Sequence, residues 1–137
     1  MALQRFYHPN GVLRYEGDIV DGKARGISRT WHPNGQLATE TPMQHGIAHG
    51  TCKQWAQDGR LIGTFDIADG TGIFKKWYDD GKLESETYMV RGLPTGRLRH
   101  WDEAGELTEA YFYKSRRISR KKYESLAAVD KALPRYD

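Results

Sequence analysis

Trp31-His-Pro-Asn-Gly35-Gln-Leu37 repeats Tyr7-His-Pro-Asn-Gly11-Val-Leu13 almost letter for letter. The phrase returns as Trp55-Ala-Gln-Asp-Gly59-Arg-Leu61, Trp77-Tyr-Asp-Asp-Gly81-Lys-Leu83 and Trp101-Asp-Glu-Ala-Gly105-Glu-Leu107. From Tyr7 through Trp31, Trp55 and Trp77 to Trp101, the anchor aromatics step by 24, 24, 22 and 24 residues. A fixed period of this length marks a stacked array, in which each unit covers the apolar side of its neighbour.

Each unit contains two glycine-marked turns. The first uses Gly11, Gly35, Gly59, Gly81 and Gly105, preceded by Asn or Asp in all but the last. Asn-Gly and Asp-Gly are strong hairpin signals, because both residues tolerate positive φ. The second turn lies at Gly22, Gly46, Gly70 and Gly92, with a third glycine at Gly26, Gly50, Gly72 and Gly96. The gap between these last two shrinks from four residues to two at Gly70-Thr71-Gly72, so the 22-residue step reads as a shortened hairpin tip.

Between turns the chain alternates with period two. Leu13 shares a face with Ile19, Leu37 with Met43, Leu61 with Ile67, Leu83 with Met89 and Leu107 with Tyr113. On the returning strand, Ile27, Arg29 and Trp31 fall on one face, with Ser28 and Thr30 on the other. These features predict an all-β array of successive antiparallel hairpins, about nine or ten strands in all. The array spans residues 1–113, with a half repeat over 1–6 and units starting near 7, 31, 55, 77 and 101. Residues 114–137 read as a basic linker and a C-terminal capping helix. Ser119 caps that helix, which runs through Tyr123, Leu126, Val129 and Leu133 to stop before Pro134.

The pattern aromatic-x-x-Asn/Asp-Gly-x-Leu-x-x-Glu, followed by Gly-x-x-x-Gly and an aromatic, resembles the MORN-repeat variant over roughly Phe6–Tyr113. It is most similar to the bacterial branch of YwqK-type antitoxin or immunity-like proteins. The resemblance implies an elongated, curved antiparallel sheet, no catalytic motif, and a binding or scaffolding role, with a cognate toxin as partner. The family's Glu matches Glu16, Glu40 and Glu86, while Thr64 and Ala110 replace it in two units.

Bulk properties narrow the classes further. At 137 residues, with 38% hydrophobic and 28% charged side chains, the chain fits one soluble domain. No apolar run approaches membrane-spanning length, and no apolar leader precedes the repeat, so a cytoplasmic protein is expected. Cys52 stands alone and cannot form an intramolecular disulfide. A net charge of +3 is too mild for a dedicated nucleic-acid binder.

Three positions after the third glycine stand Arg29, Lys53, Lys75 and Arg99, with Arg5 in the same register. Stacked two strands apart, these cations would recur every ~9–10 Å along one face. With Arg116 and Arg117 of the tail, the row is the candidate surface for an acidic partner protein or, alternatively, for anionic lipid. The competing reading is a row that is merely solvated, or one in which each basic stem packs on the aromatic two residues later. Trp31, Trp55, Trp77 and Trp101, with the five first-turn glycines, read as structural anchors.

Other constellations carry less. The repeated Glu residues are equivalent copies along a rod, which suits capping of turn amides or pairing with neighbouring cations rather than acid–base chemistry. His45-Gly-Ile-Ala-His49 with Cys52 has superficially zinc-like spacing, but Gly46 and Gly50 place it on a hairpin tip and a fourth ligand is missing. No catalytic residue, metal site or cofactor is expected. The tail is expected to act as a lid over the last hairpin's edge.

Overall fold

The computed structural model describes residues 2–136. Twelve strands and one helix follow one another along these residues. The first half comprises β1 (Ala2–Tyr7), β2 (Leu13–Val20), β3 (Lys23–Trp31), β4 (Leu37–Gln44), β5 (Ile47–Ala48), β6 (Gly50–Trp55) and β7 (Leu61–Ile67). The second comprises β8 (Gly72–Trp77), β9 (Leu83–Val90), β10 (Leu93–Trp101), β11 (Leu107–Tyr113), β12 (Arg116–Ile118) and α1 (Arg120–Val129). All strand pairings are antiparallel and follow chain order, as the glycine spacing predicts.

The two turn classes differ in mechanism. In the first turn of each repeat only the glycine adopts positive φ, 88° at Gly35, while Asn34 does not. The loop is closed by His32 N–H to the Gln36 carbonyl (2.8 Å) and Gly35 N–H to the His32 carbonyl (2.9 Å). Asn34 contributes its side chain instead, accepting from Gln36 N–H at 2.9 Å. The tight turn with two left-handed residues is the second one: Asp21, His45, Asp69 and Arg91 have φ of 50–53°, each followed by glycine. The dipeptide alone does not separate the two: Asp58-Gly59 and Asp80-Gly81 form the wider loop, and Asp21-Gly22 and Asp69-Gly70 the narrower.

The hairpin array parts once. β1 to β7 form one sheet and β8 to β12 another, and among the described residues only the bridge Ala68–Thr71 pairs β7 with β8. The interruption falls at the shortened Gly70-Thr71-Gly72 tip. It also falls where Phe65 and Phe74 meet at 5.5 Å, in a row that elsewhere among the described residues holds Ser28, Thr41, Cys52, Thr87 and Leu98, with no second aromatic pair. Trp77 lies against Phe65 and over Gly63, on the Phe65 side of the sheet. A one-residue slip in register at the aromatic therefore takes Trp77 off the face of the cation row that simple alternation assigns to it.

The C-terminal end also departs from expectation. The array continues past Tyr113, because β12 pairs with β11 through a Lys114-Ser115 turn whose residues both have positive φ (48° and 71°). The segment read as a basic linker therefore contains a strand, and that strand takes the edge which the helix was expected to cover. Ser119 does cap α1, accepting from Lys122 N–H at 3.1 Å, but the helix ends at Val129. Val129 is 83% exposed, whereas Leu133, beyond the helix, folds back beside Tyr111, Tyr123 and Ala127. Tyr123 Oη donates to the Pro134 carbonyl (2.6 Å) and Arg135 to that of Ala127 (2.6 Å), which fixes the return. This return explains the short helix: Leu133 is buried by doubling back rather than by another helical turn.

Candidate binding surface

The cations of the basic row lie opposite carboxylates. Strand register sets Arg5 opposite Glu16, Arg29 opposite Glu40, Lys75 opposite Glu86 and Arg99 opposite Glu109. The corresponding Arg–Glu separations are 2.8 Å, 2.8 Å and 3.1 Å, and Lys75–Glu86 is looser at 3.9 Å. The other side of each Glu faces the next cation, since Glu16 pairs with Arg29, Glu40 with Lys53 and Glu86 with Arg99. One face of the array is therefore crossed by a row of alternating sign. The Arg5 guanidinium is pushed above its ordinary value, first by its hydrogen bond to Glu16 and then by that charge.

This arrangement replaces the expected stacking of each basic stem on an aromatic. In the last repeat the slip at the aromatic is absent, so Glu109 takes the place opposite Arg99 that Ala110 would otherwise hold. Thr64 is the unit that breaks the row. Lys53 lies between Glu40 and Thr64 and, among the described residues, forms no ion pair.

A second set of contacts holds repeat to repeat through the carbonyls of the anchor aromatics. His8 donates to the Trp31 carbonyl (2.7 Å), His32 to that of Trp55 (2.9 Å) and Tyr78 to that of Trp101 (2.8 Å). Asn10 and Asn34 donate in the same way to Pro33 and Gln57. In the unit where Ala56 occupies the His position, Gln54 substitutes. It donates to the Trp77 carbonyl (2.8 Å) and accepts from Trp77 N–H (3.1 Å), joining the two sheets as a strand backbone would. The residues after each aromatic are thus stacking contacts, a role that their chemical variety (His, Tyr, or Gln two positions earlier) concealed in the sequence.

The histidines of the His45–His49 segment are also structural. Asp69 N–H donates to His49 Nδ1 at 2.9 Å, tying one hairpin tip to the next. Tips are further linked by Gly70 N–H to the Ala48 carbonyl (2.7 Å) and Gly92 N–H to the Gly70 carbonyl (3.0 Å). Among the described residues no group of three His, Cys, Asp or Glu side chains is placed to hold a metal. Cys52 is buried with Ala48 and Ile67, and burial pushes its thiol up, assisted by the charge of Asp66.

Two features stand outside the repeating contacts. A cleft of about 480 Å³ spans the joint between the sheets, bordered by Thr39, Thr41, Phe65, Phe74, Lys76 and Thr87. The other is the cationic end of the array. Arg116 and Arg117 are exposed on opposite sides of β12, and Lys114, Lys121 and Lys122 are exposed around them. Of the cations in 114–122, Arg120 alone forms an ion pair among the described residues, with Glu124 at 2.8 Å. The predicted partner residues therefore divide. Arg29, Lys75 and Arg99 are engaged within the fold, while Lys53, Arg116 and Arg117 are not.

Comparison with known families matches the MORN repeat variant at residues 2–21, 25–45 and 71–90, each a strand, a first turn and the strand after it. The match supports a repeat-based binding module and reaches both sheets. Among curated proteins none matches the chain.

Proposed function

We propose that this chain is a non-enzymatic protein-binding module of the antitoxin or immunity kind, acting in a bacterial cytoplasm by occluding a toxin. The supporting observation is the uncompensated charge at one end. Arginines of the cation row meet carboxylates of their own fold, whereas Arg116, Arg117, Lys121 and Lys122 meet none. Lys121 and Lys122 also oppose the macrodipole in the first turn of α1, which carries no acidic residue there. An acidic partner surface would relieve both costs and would be drawn in by long-range steering.

The test is partner capture followed by toxicity. Affinity purification identifies the bound protein, and charge reversal at Arg116, Arg117, Lys121 and Lys122 is expected to abolish its capture. Reversal at Arg29 and Arg99 is expected to lower stability while leaving capture in place. Capture that survives reversal of the cationic end would remove that end from the account. A captured protein that is harmless when expressed alone would remove the antitoxin reading. A second reading uses the same cations to hold anionic lipid. It requires sedimentation with phosphatidylserine vesicles that weakens as salt rises.

A further inference from the structure

Among the described residues β1 is the outer strand of the first sheet and pairs on one side only, with β2. All six of its residues are exposed, among them Leu3 (56%), Phe6 (49%) and Tyr7 (57%). In antiparallel sheets successive residues send their N–H and C=O groups to opposite sides. The repeat shows which residues face outward here. Trp77, the counterpart of Tyr7, receives Gln54 of the preceding unit on both its N–H and its C=O, and the Trp31 carbonyl receives His8. By the same register, Tyr7, Arg5 and Leu3 direct their backbone groups away from β2, and Gln4 and Phe6 direct theirs toward it.

The rest of the array shows what side chain suits that edge. Where a ladder forms across the second turn of a unit, the preceding strand places Glu opposite the row cation: Glu16 opposite Arg29, Glu40 opposite Lys53 and Glu86 opposite Arg99. At the one boundary where the preceding strand offers Thr64, β7 and β8 do not pair beyond the Ala68–Thr71 bridge. Arg5 has Glu16 on its inner side and, among the described residues, no strand on its outer side.

We propose that the β1 edge is a docking site for an extended strand of another protein, added antiparallel, with a carboxylate residue opposite Arg5. Backbone pairing at Leu3, Arg5 and Tyr7 supplies the affinity, and the carboxylate sets the register. A second β1 strand does not satisfy the site. The segment Ala2–Tyr7 contains no acidic residue, so a second copy would bring no carboxylate to the outer side of Arg5, where the array elsewhere places one. This docking is independent of the cationic end and of whether the captured protein is a toxin.

The probe is the end-blocked peptide with the sequence of Leu83–Val90, in which Glu86 is the residue that faces Arg99 in the array. On adding it to the full chain, amide exchange is expected to slow at Leu3, Arg5 and Tyr7 and to stay unchanged at Gln4 and Phe6. Arg5→Glu is expected to weaken peptide binding by roughly tenfold or more. A peptide carrying Glu86→Lys is expected to restore binding to that variant. Protection at Gln4 and Phe6, protection confined to Thr64–Ile73, or equal binding by Arg5→Glu would overturn the proposal. So would a concentration-dependent dimer that protects the same three amides without peptide. The amide pattern is read on the unsubstituted chain, so the test stands even if Arg5→Glu folds poorly.

Discussion

The boundary between β4 and β6 and the boundary between β7 and β8 occupy equivalent places in the repeat, yet only the first is a β-ladder. At the first, Thr39 faces Gln54 and Glu40 faces Lys53, so hydroxyl, amide and charge alternate across a narrow row. At the second, two phenylalanines stand in the places that Thr41 and Cys52 take at the first, Thr64 stands where Glu is needed, and the tip is two residues short. The joint then relies on other contacts: the Gln54 amide on Trp77, the Trp77 ring over Gly63, and the Gly70–Gly92 tip bond. Continuity of the sheet is therefore a property of side-chain rows, and the glycine framework alone does not secure it.

If the ring over Gly63 holds the joint, filling that space should have the largest effect. A Cβ at Gly63 would lie 2.5 Å from the Trp77 ring, so Gly63→Ala must displace the indole. A loss of about 1–3 kcal/mol is expected. Gly81→Ala provides the reference, since its Cβ meets open space and carries only the left-handed penalty of about 1 kcal/mol. Urea midpoints measure both. A Gly63 variant no less stable than the Gly81 variant would break the comparison.

Gln54→Ala comes next. It removes two hydrogen bonds and leaves the partly buried Trp77 N–H and C=O without their partner, for an expected loss of about 1–2 kcal/mol. His32→Ala removes a single staple at a boundary that also has its ladder, and about half that loss is expected. Faster amide exchange confined to Trp77 and its neighbours would place the effect at the joint. Equal losses in the two variants would show that the joint is no more dependent on side chains than an intact boundary.

The two apolar clusters, one in each sheet, should respond separately to alkali. Burial raises the Cys52 thiol above its ordinary 9.0 and the Tyr123 phenol above its ordinary 10.0. Both groups stay protonated in the fold when the unfolded chain has already lost the proton, so the unfolded state binds fewer protons and stability falls as pH rises. The full contribution is present below pH 9.0 and declines above it, by up to ~1.4 kcal/mol per pH unit for each group. Cys52→Ala should remove the part that begins near 9.0 and Tyr123→Phe the part that begins near 10.0, as read from urea midpoints between pH 7 and 11. A flat profile across that range would contradict the burial of both.

Much of the array was legible in the sequence because its signals are local and repeated. The glycines placed the turns and the period-two alternation placed the strands. The shortened tip was legible as well, but its coincidence with the break was not. That break depends on Phe65 and Phe74 becoming neighbours, a relation between residues nine apart that the shared repeat pattern does not carry. Pairing with a neighbouring cation is one of two readings that the sequence allows for Glu16, Glu40 and Glu86, beside capping of turn amides, yet the row itself reads as a candidate partner surface. Register resolves this, since it puts each Glu between two cations. At the tail the helix signal was correct at Ser119 and overran at Leu133, because an apolar residue can be buried by a chain reversal as well as by a helical turn. Nothing in the spacing distinguishes the two.

The smallest predicted effect tests the row itself. Thr64→Glu would place a carboxylate between Lys53 and Lys75, the two row cations that flank the broken boundary. If alternating charge helps to close the ladder, the variant should gain up to about 0.5–1 kcal/mol, a gain that shrinks in high salt. It should also slow amide exchange along Thr64–Ile67 and Gly72–Lys75, the segments that face one another across the joint. A gain in stability without amide protection would mean that the new carboxylate forms surface ion pairs alone, and that the phenylalanines keep the sheets apart. Protection without a gain would mean that closing the ladder displaces Phe65 and Phe74 at equal cost. Only the two together would show that Thr64 is the reason the repeat fails to pair at this boundary.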